Sequence, residues 1–323
     1  MSNRTTRRAV LGQWASAMGL GLAASTANAA PRVSRTAFAR TGSVKSQLTL
    51  VLSGGMSSQE TFDPKPLGPV DRRGPAGAIA TSVPGVCVSS WLPRLAARAH
   101  EFTLVRSVTL GSAPATHDAG LALVPAATVS EGDIGSQSDL LVRPVSRSEM
   151  RRRATLGTAR TPARVRSRQR VGFDYGASRF GGLCQAAVSQ LVAGADSACV
   201  HFAPTVFDCL SWDMHANGAG LPISLTDYRE TLCPQLDQVL CAVFDELQGR
   251  GLWSTTTVRV VTELGRSAQF NSRGGRDHAR GPFCALLAGG GVAGGVVIGA
   301  TTADGGEVLE GEVTLGTLLS GGV

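Results

Sequence analysis

The stretch Leu48–Pro66, LTLVLSGGMSSQETFDPKP, decides how the rest of the chain is read. Its first five residues, Leu48-Thr49-Leu50-Val51-Leu52, are a short apolar run rich in branched side chains, the pattern of a strand. Apolar and polar positions hardly alternate, which predicts a central strand buried on both faces. The run stops at Gly54-Gly55, where the backbone can turn sharply at no steric cost. Ser57, Ser58, Glu60, Thr61 and Asp63 follow at once, and Pro64 and Pro66 stiffen the exit. In open α/β sheets, sites form just beyond the carboxyl ends of strands. This loop therefore sets hydroxyls and carboxylates where a site belongs. A polar strand-to-helix turn with a cap is the plainer reading of the same residues.

Working outward, strands and helices alternate. Trp91–His100 reads as a helix with Ser89-Ser90 as its cap, and Phe102–Val105 as a strand. Phe180–Val192 places Phe180, Leu183, Cys184, Ala187, Val188 and Leu191 on one helical side, and Cys199–Phe202 is a strand. In Leu232–Leu247 the apolar residues step by three and four, the clearest helix of the chain, stopped by Gly249-Arg250-Gly251. Thr256–Thr262 and Phe283–Ala288 are further strands, and Leu67–Gly85 reads as surface loop. The alternation predicts an α/β fold, a mostly parallel sheet sandwiched by helices.

The N-terminus has a different composition. Thr6-Arg7-Arg8-Ala9-Val10-Leu11 has the form of a twin-arginine signal, Gly12 to about Ala24 is uncharged and rich in Ala and Gly, and Ala27-Asn28-Ala29 fits a cleavage site. The expected organisation is a signal peptide at 1–29, a linker at 30–46 and a single domain at 47–323. The place of work is then periplasmic or extracellular. No later segment has the ~20 apolar residues of a membrane span. The formal charge of +7 is local: Arg143–Arg170 holds ten Arg against one acid, Glu149. No aromatic residue interleaves those arginines before Phe173, so nucleic acid is not the expected partner. Periodicity is lost over 129–170, which reads as an irregular Arg-rich insertion, with polyanion binding as a lesser reading. The seven Cys include no CxxC pair and read as small buried hydrophobes, with room for one disulfide.

Four loops at or near strand ends carry groups able to ligate a metal: Ser57/Glu60/Asp63, Asp213/His215, Glu263 and Asp277/His278. Mixed carboxylate and imidazole donors suit zinc, manganese or iron, and an all-oxygen set suits calcium or magnesium. Arg266 has the planar fork that binds an anionic group. His100, at a helix end, reads as a surface or capping residue, and His201, mid-strand, as a core residue or one that supports the ligands from behind. Gly289-Gly290-Gly291 lacks the Lys and Ser/Thr of a phosphate loop and reads as a tight turn.

Several stretches together resemble a family of twin-arginine-exported bacterial proteins with an alkaline-phosphatase/sulfatase-like core. They are Gly54–Ser57 with Thr61–Pro66, Leu104–Ser107 with His117, Trp212-Asp213-Met214-His215, Thr262–Arg266, and Gly275–His278 followed by Gly289–Gly291. The resemblance implies an alkaline-phosphatase-like fold and a metal-centred site for sulfate or phosphate esters. It implies Asp213, His215, Glu263 and His278 as metal ligands, joined by Glu60 or Asp63. Candidate catalytic residues are Ser57, Thr61, Arg266 and His117, the two hydroxyls by location only. Glu60 stands where the family has Asp, Leu264 where it has Phe, and the Arg-rich stretch replaces its middle region, so the chain resembles a shortened, divergent member. The expected function is an exported metal-dependent hydrolase of a small-molecule or glycan ester, holding zinc, manganese or calcium. The alternative is a catalytically degenerate member that binds without turnover. Oligomeric state is left open.

Overall fold

The computed structural model describes residues 44–134, 172–216 and 221–321. The expected signal peptide, nearly all of the linker and the stretch Arg143–Arg170 lie outside them, and with that stretch the polyanion reading. All described residues belong to one compact unit, Pro31–Val323.

In chain order the strands are β1 (Ser46–Val51), β2 (Ala78–Ala80), β3 (Cys87–Ser89), β4 (Phe102–Thr109), β5 (Ser197–His201), β6 (Thr256–Val261), β7 (Gly265–Arg266), β8 (His278–Ala279), β9 (Phe283–Gly289), β10 (Val296–Ile298), β11 (Ala300–Thr301), β12 (Val308–Glu310) and β13 (Val313–Thr314). The main sheet runs β10-β4-β9-β6-β1-β5, with β13 beside β4. β9 is antiparallel to β4 and β6, and every other pairing in the sheet is parallel. The carboxyl ends of β1, β4, β5 and β6 therefore share one edge, and the functional loops leave from it. The fold is α/β, a mostly parallel sheet flanked by helices.

β1 is buried on both faces, as its apolar run requires. Leu48, Leu50 and Leu52 join the larger core, while Val51 faces the smaller one on the opposite side. The larger core is filled by the helices Arg179–Val192 and Cys233–Gly249. Leu236, Leu240, Val243, Phe244 and Leu247 of the second helix are fully buried, and each such side chain contributes about 1.5–3 kcal/mol. The smaller core takes Leu315 and Leu318 of the last helix, Leu315–Ser320. β5 lies at the sheet edge, and the segment after Val124 covers it: Thr128 and Val129 donate to Cys199 O, and His201 Nε2 bonds Pro125 O at 2.8 Å. The start of the expected irregular insertion, Val129, is thus buried against the sheet.

Three elements differ from expectation. The helix expected at Trp91–His100 spans only Pro93–Ala97, followed by a 3₁₀ turn at Ala99–Glu101. Neither Ser89 nor Ser90 caps it; Asp237, from the helix Cys233–Gly249, accepts from Arg94 N at 2.9 Å and Leu95 N at 2.8 Å. The long helix is preceded by Leu225–Asp227 and a π turn at Tyr228–Leu232. β2 lies within the stretch read as surface loop and pairs with β3, just beyond it, as a hairpin too short for any periodicity to betray it. All seven cysteines are free thiols.

Candidate metal centre

The centre is built from the turn after β1 outward. Gly54 and Gly55 have φ of +115° and +75°, values that strain any side chain. The space is taken as well: a Cβ on Gly54 would meet Asp213 N at 2.4 Å, and one on Gly55 would meet Leu264 Cδ1 at 2.5 Å. Their N–H groups donate to Glu263, Gly54 to Oε1 at 2.6 Å and Gly55 to Oε2 at 3.2 Å. Glu263, just past the end of β6, is fully buried. Its Oε1 also accepts from His117 Nδ1 at 2.7 Å.

His117 opens the short helix His117–Leu121, capped by Thr116, whose hydroxyl accepts from Ala119 N at 3.3 Å. The helix lies directly on β6's exit: a Cβ on Gly120 would sit 1.9 Å from Glu263 O. Asp213 is placed by its neighbour Trp212, which is fully buried and stacked edge-on to Phe202 and Tyr228. Trp212 N donates to Ser53 O, and Tyr228 Oη donates to Trp212 O, both at 2.8 Å. His278 comes from β8, paired with β7 so that it lies opposite Arg266.

One ligand atom from each of His117, Asp213 and His278 lies within 4.8 Å of the others. His117 Nε2 is 3.0 Å from His278 Nε2 and 3.6 Å from Asp213 Oδ2. A metal with bonds of about 2.0–2.2 Å to such donors keeps neighbouring ligand atoms about 3.0–3.5 Å apart, so His117–His278 matches that spacing and His117–Asp213 lies just outside it. The donor set fits too. The Glu263 carboxylate claims the Nδ1 proton of His117, so in the neutral ring Nε2 presents a lone pair toward the other two ligands. His215 stands beside them, its Nε2 3.4 Å from Asp213 Oδ1 and its ring centroid 4.5 Å from that of His278.

The charges of the cluster arrange around a proton. Burial opposes a charge on His117, but the Asp213 carboxylate 3.6 Å away and the hydrogen bond to Glu263 outweigh it and hold the imidazole up at about 9. Burial, joined by the charges of Arg266, His117 and His215, pushes His278 down to about 4. For Asp213 burial works the other way but is overcome by His117, Arg266 and His215, leaving it at about 2. Glu263 is likewise lowered: burial is outweighed by the hydrogen bond from His117 and those from the backbone.

The structure brings together part of the expected set. Asp213 and His278 are in the cluster, His215 adjoins it, and Glu263 stands behind His117, holding the far side of its ring. His117, expected only as a catalytic residue, supplies a ligand atom. Glu60 and Asp63 are not brought to the cluster. Both Glu60 oxygens meet the buried Arg276 guanidinium, Nη2–Oε1 at 2.8 Å and Nε–Oε2 at 3.0 Å, and the Ser57 hydroxyl donates to Oε2 as well. Asp63 lies between Lys65 at 2.8 Å and Arg106 at 3.4 Å. Ser57 and Thr61 are fully buried, and the Thr61 hydroxyl donates to Ser57 O at 2.7 Å. Arg266 directs its fork into the protein: Nε to Gly55 O at 2.9 Å, Nη1 to Arg276 O at 3.0 Å, and Nη2 to Gly54 O and to Asp213 Oδ1, the latter at 2.6 Å. It braces Asp213 and the glycine turn. Arg276 and Asn271, which tie the 267–278 segment to this region, were not singled out from the sequence; only the polar turn around Gly274-Gly275 hinted at them.

Comparison with solved structures finds likeness at low identity. Ps i-CgsB, solved in complex with k-i-k-neocarrahexaose, aligns with a TM-score of 0.39 and 10% identity, covering 86% of this chain and 72% of that one. The PsFucS1 sulfatase from Pseudoalteromonas sp. aligns with a TM-score of 0.32 and 10% identity, covering 80% and 65%. No curated protein matches the chain. A family model described as "Protein of unknown function (DUF1501)" matches residues 44–182 and 166–321, nearly the whole described domain, and the chain belongs to that family.

Proposed function

We propose that the protein is a metal-dependent hydrolase of sulfate or phosphate esters, working outside the cytoplasm after export by the twin-arginine route. The observation that carries this reading is the convergence of His117, Asp213 and His278 at the carboxyl edge of the sheet, with ligand atoms within 4.8 Å. When bound, a divalent ion there supplies Lewis acidity toward an ester oxygen and makes a coordinated water more acidic. The protein's own residues supply order. Glu263 fixes the His117 ring, Arg266 and the buried Trp212 fix Asp213, and the β7–β8 pairing fixes His278. Imidazole donors favour zinc or manganese over calcium. The Ser57 and Thr61 hydroxyls are engaged inside the loop, so in this reading the attacking oxygen comes from water. The ester is cleaved to an alcohol and free sulfate or phosphate. The substrate is a small-molecule or glycan ester.

The test is hydrolysis of aryl sulfates and aryl phosphates by the purified protein with zinc or manganese supplied. Turnover that disappears in His278→Ala supports the reading, and no turnover with metal bound contradicts it.

A second reading is a degenerate member that binds anionic glycan without cleaving it. The inward-directed fork of Arg266 and the enclosed hydroxyls favour it, because the residues expected to grip the anion and attack it have other partners. Saturable glycan binding with no product would decide for it.

A further inference from the structure

The turn Asn271–His278 packs its backbone against the segment that carries His215. A Cβ on Gly275 would meet Met214 O at 2.4 Å and His215 O at 2.5 Å, and Arg276 N donates to Met214 O at 2.7 Å. Asn271 organises this contact. Its Oδ1 accepts from Arg273 N and Gly275 N, each at 3.0 Å. Its Nδ2 donates to His215 O and to Asp277 Oδ1, each at 2.9 Å. The same Asp277 oxygen meets His215 Nδ1 at 3.1 Å.

A carboxylate can only accept, so the proton of a neutral His215 ring sits on Nδ1 and its Nε2 carries a lone pair. That lone pair faces Asp213 Oδ1 across 3.4 Å. The same oxygen accepts from Arg266 Nη2 at 2.6 Å, and an ion shared by His215 Nε2 and the Asp213 carboxylate would draw the two acceptors together. His117 repeats the pattern on the other side of Asp213: Glu263 holds its Nδ1 at 2.7 Å, and its Nε2 is 3.6 Å from Oδ2. Asp213 is thus flanked by two carboxylate–imidazole pairs, Glu263–His117 and Asp277–His215. Only the first is buried; the Asp277 side chain is 57% exposed.

We propose that Asp277 and Asn271 are positioning residues that aim His215 Nε2 at the ion held by His117, Asp213 and His278, making His215 a fourth protein donor. The proposal rests on the metal-centre reading above. It narrows the ion to one that takes five or six ligands there, because a four-coordinate ion with four protein donors keeps no place for water and ester.

The test is metal affinity, measured by chelator competition with zinc and with manganese on the purified protein. Asp277→Ala should weaken binding about 10-fold or more. Asp277→Asn, whose amide oxygen still accepts from Nδ1, should recover most of the loss. In a His215→Ala background, Asp277→Ala should add nothing, since the two act as one unit. Metal-free thermal unfolding of each variant checks that the fold is kept. Unchanged affinity in Asp277→Ala overturns the positioning role. So does an equal loss in Asp277→Asn, or a loss that persists without His215. A wild-type protein that binds neither metal overturns the centre itself, which is a separate failure.

Discussion

His117 Nδ1 lies 2.7 Å from Glu263 Oε1, a contact between residues 146 positions apart in the chain. The pair joins the end of β6 to a short helix beyond β4, and the same carboxylate gathers the N–H groups of Gly54 and Gly55 from the end of β1. Three chain segments meet on one buried acid. A histidine oriented in this way by a carboxylate is a stronger and better-aimed metal donor.

Glu263→Gln tests that junction. The amide keeps the volume but turns a donor toward groups that themselves donate. Stability should fall by about 1–3 kcal/mol, and metal affinity by about 10–100-fold. Urea unfolding and chelator competition measure the two. Full affinity in a folded Glu263→Gln protein would detach Glu263 from the centre.

Glu60→Gln separates a strut from a ligand. Glu60 and Arg276 are both fully buried, their contact 2.8 Å. Breaking such a pair leaves an uncompensated buried charge and costs about 3–5 kcal/mol. The expected result is a large loss of stability in the metal-free protein with metal stoichiometry retained. Loss of the metal without loss of stability would make Glu60 a ligand after all.

The pH dependence follows from the two histidines of opposite shift. His117, held at about 9 against an ordinary 6.5, stabilises the metal-free fold fully below 6.5, and that contribution is lost as pH rises through about 9. His278, held at about 4, contributes stability that is full above 6.5 and lost as pH falls through about 4. An ion must displace the proton on His117 but none on His278 near neutrality. Metal affinity should therefore rise about tenfold per pH unit between pH 6 and 8, with about one proton released per ion. Calorimetry in buffers of different ionisation enthalpy counts that proton, and an affinity flat over this range would contradict the assignment.

Much of the fold was legible in the sequence because it rests on local pattern. The branched run of β1 and the three-and-four spacing of the helix Cys233–Gly249 state their own periods. The Asp213–His215 and Asp277-His278 groups were legible for a similar reason, as polar clusters next to strand ends. What escaped depends on partners far along the chain. Glu60 looks like a free carboxylate until Arg276 is brought to it from 216 positions away. Arg266 looks like an anion clamp until the carbonyls of Gly54 and Gly55 fold onto it. His117 has no local mark of a ligand, because the acid that orients it lies past the end of a different strand. The cap on the helix Pro93–Ala97 comes from Asp237, which no capping rule confined to neighbouring residues can find.

His117, Asp213 and His278 are placed to hold one divalent ion. Elemental analysis of the purified protein after equilibration with zinc or manganese and removal of free metal tests this most directly. One tightly held ion per chain is the expected result, lost in both His117→Ala and His278→Ala while the metal-free fold is retained. A wild-type chain that retains no ion, or one that both variants retain undiminished, would contradict it.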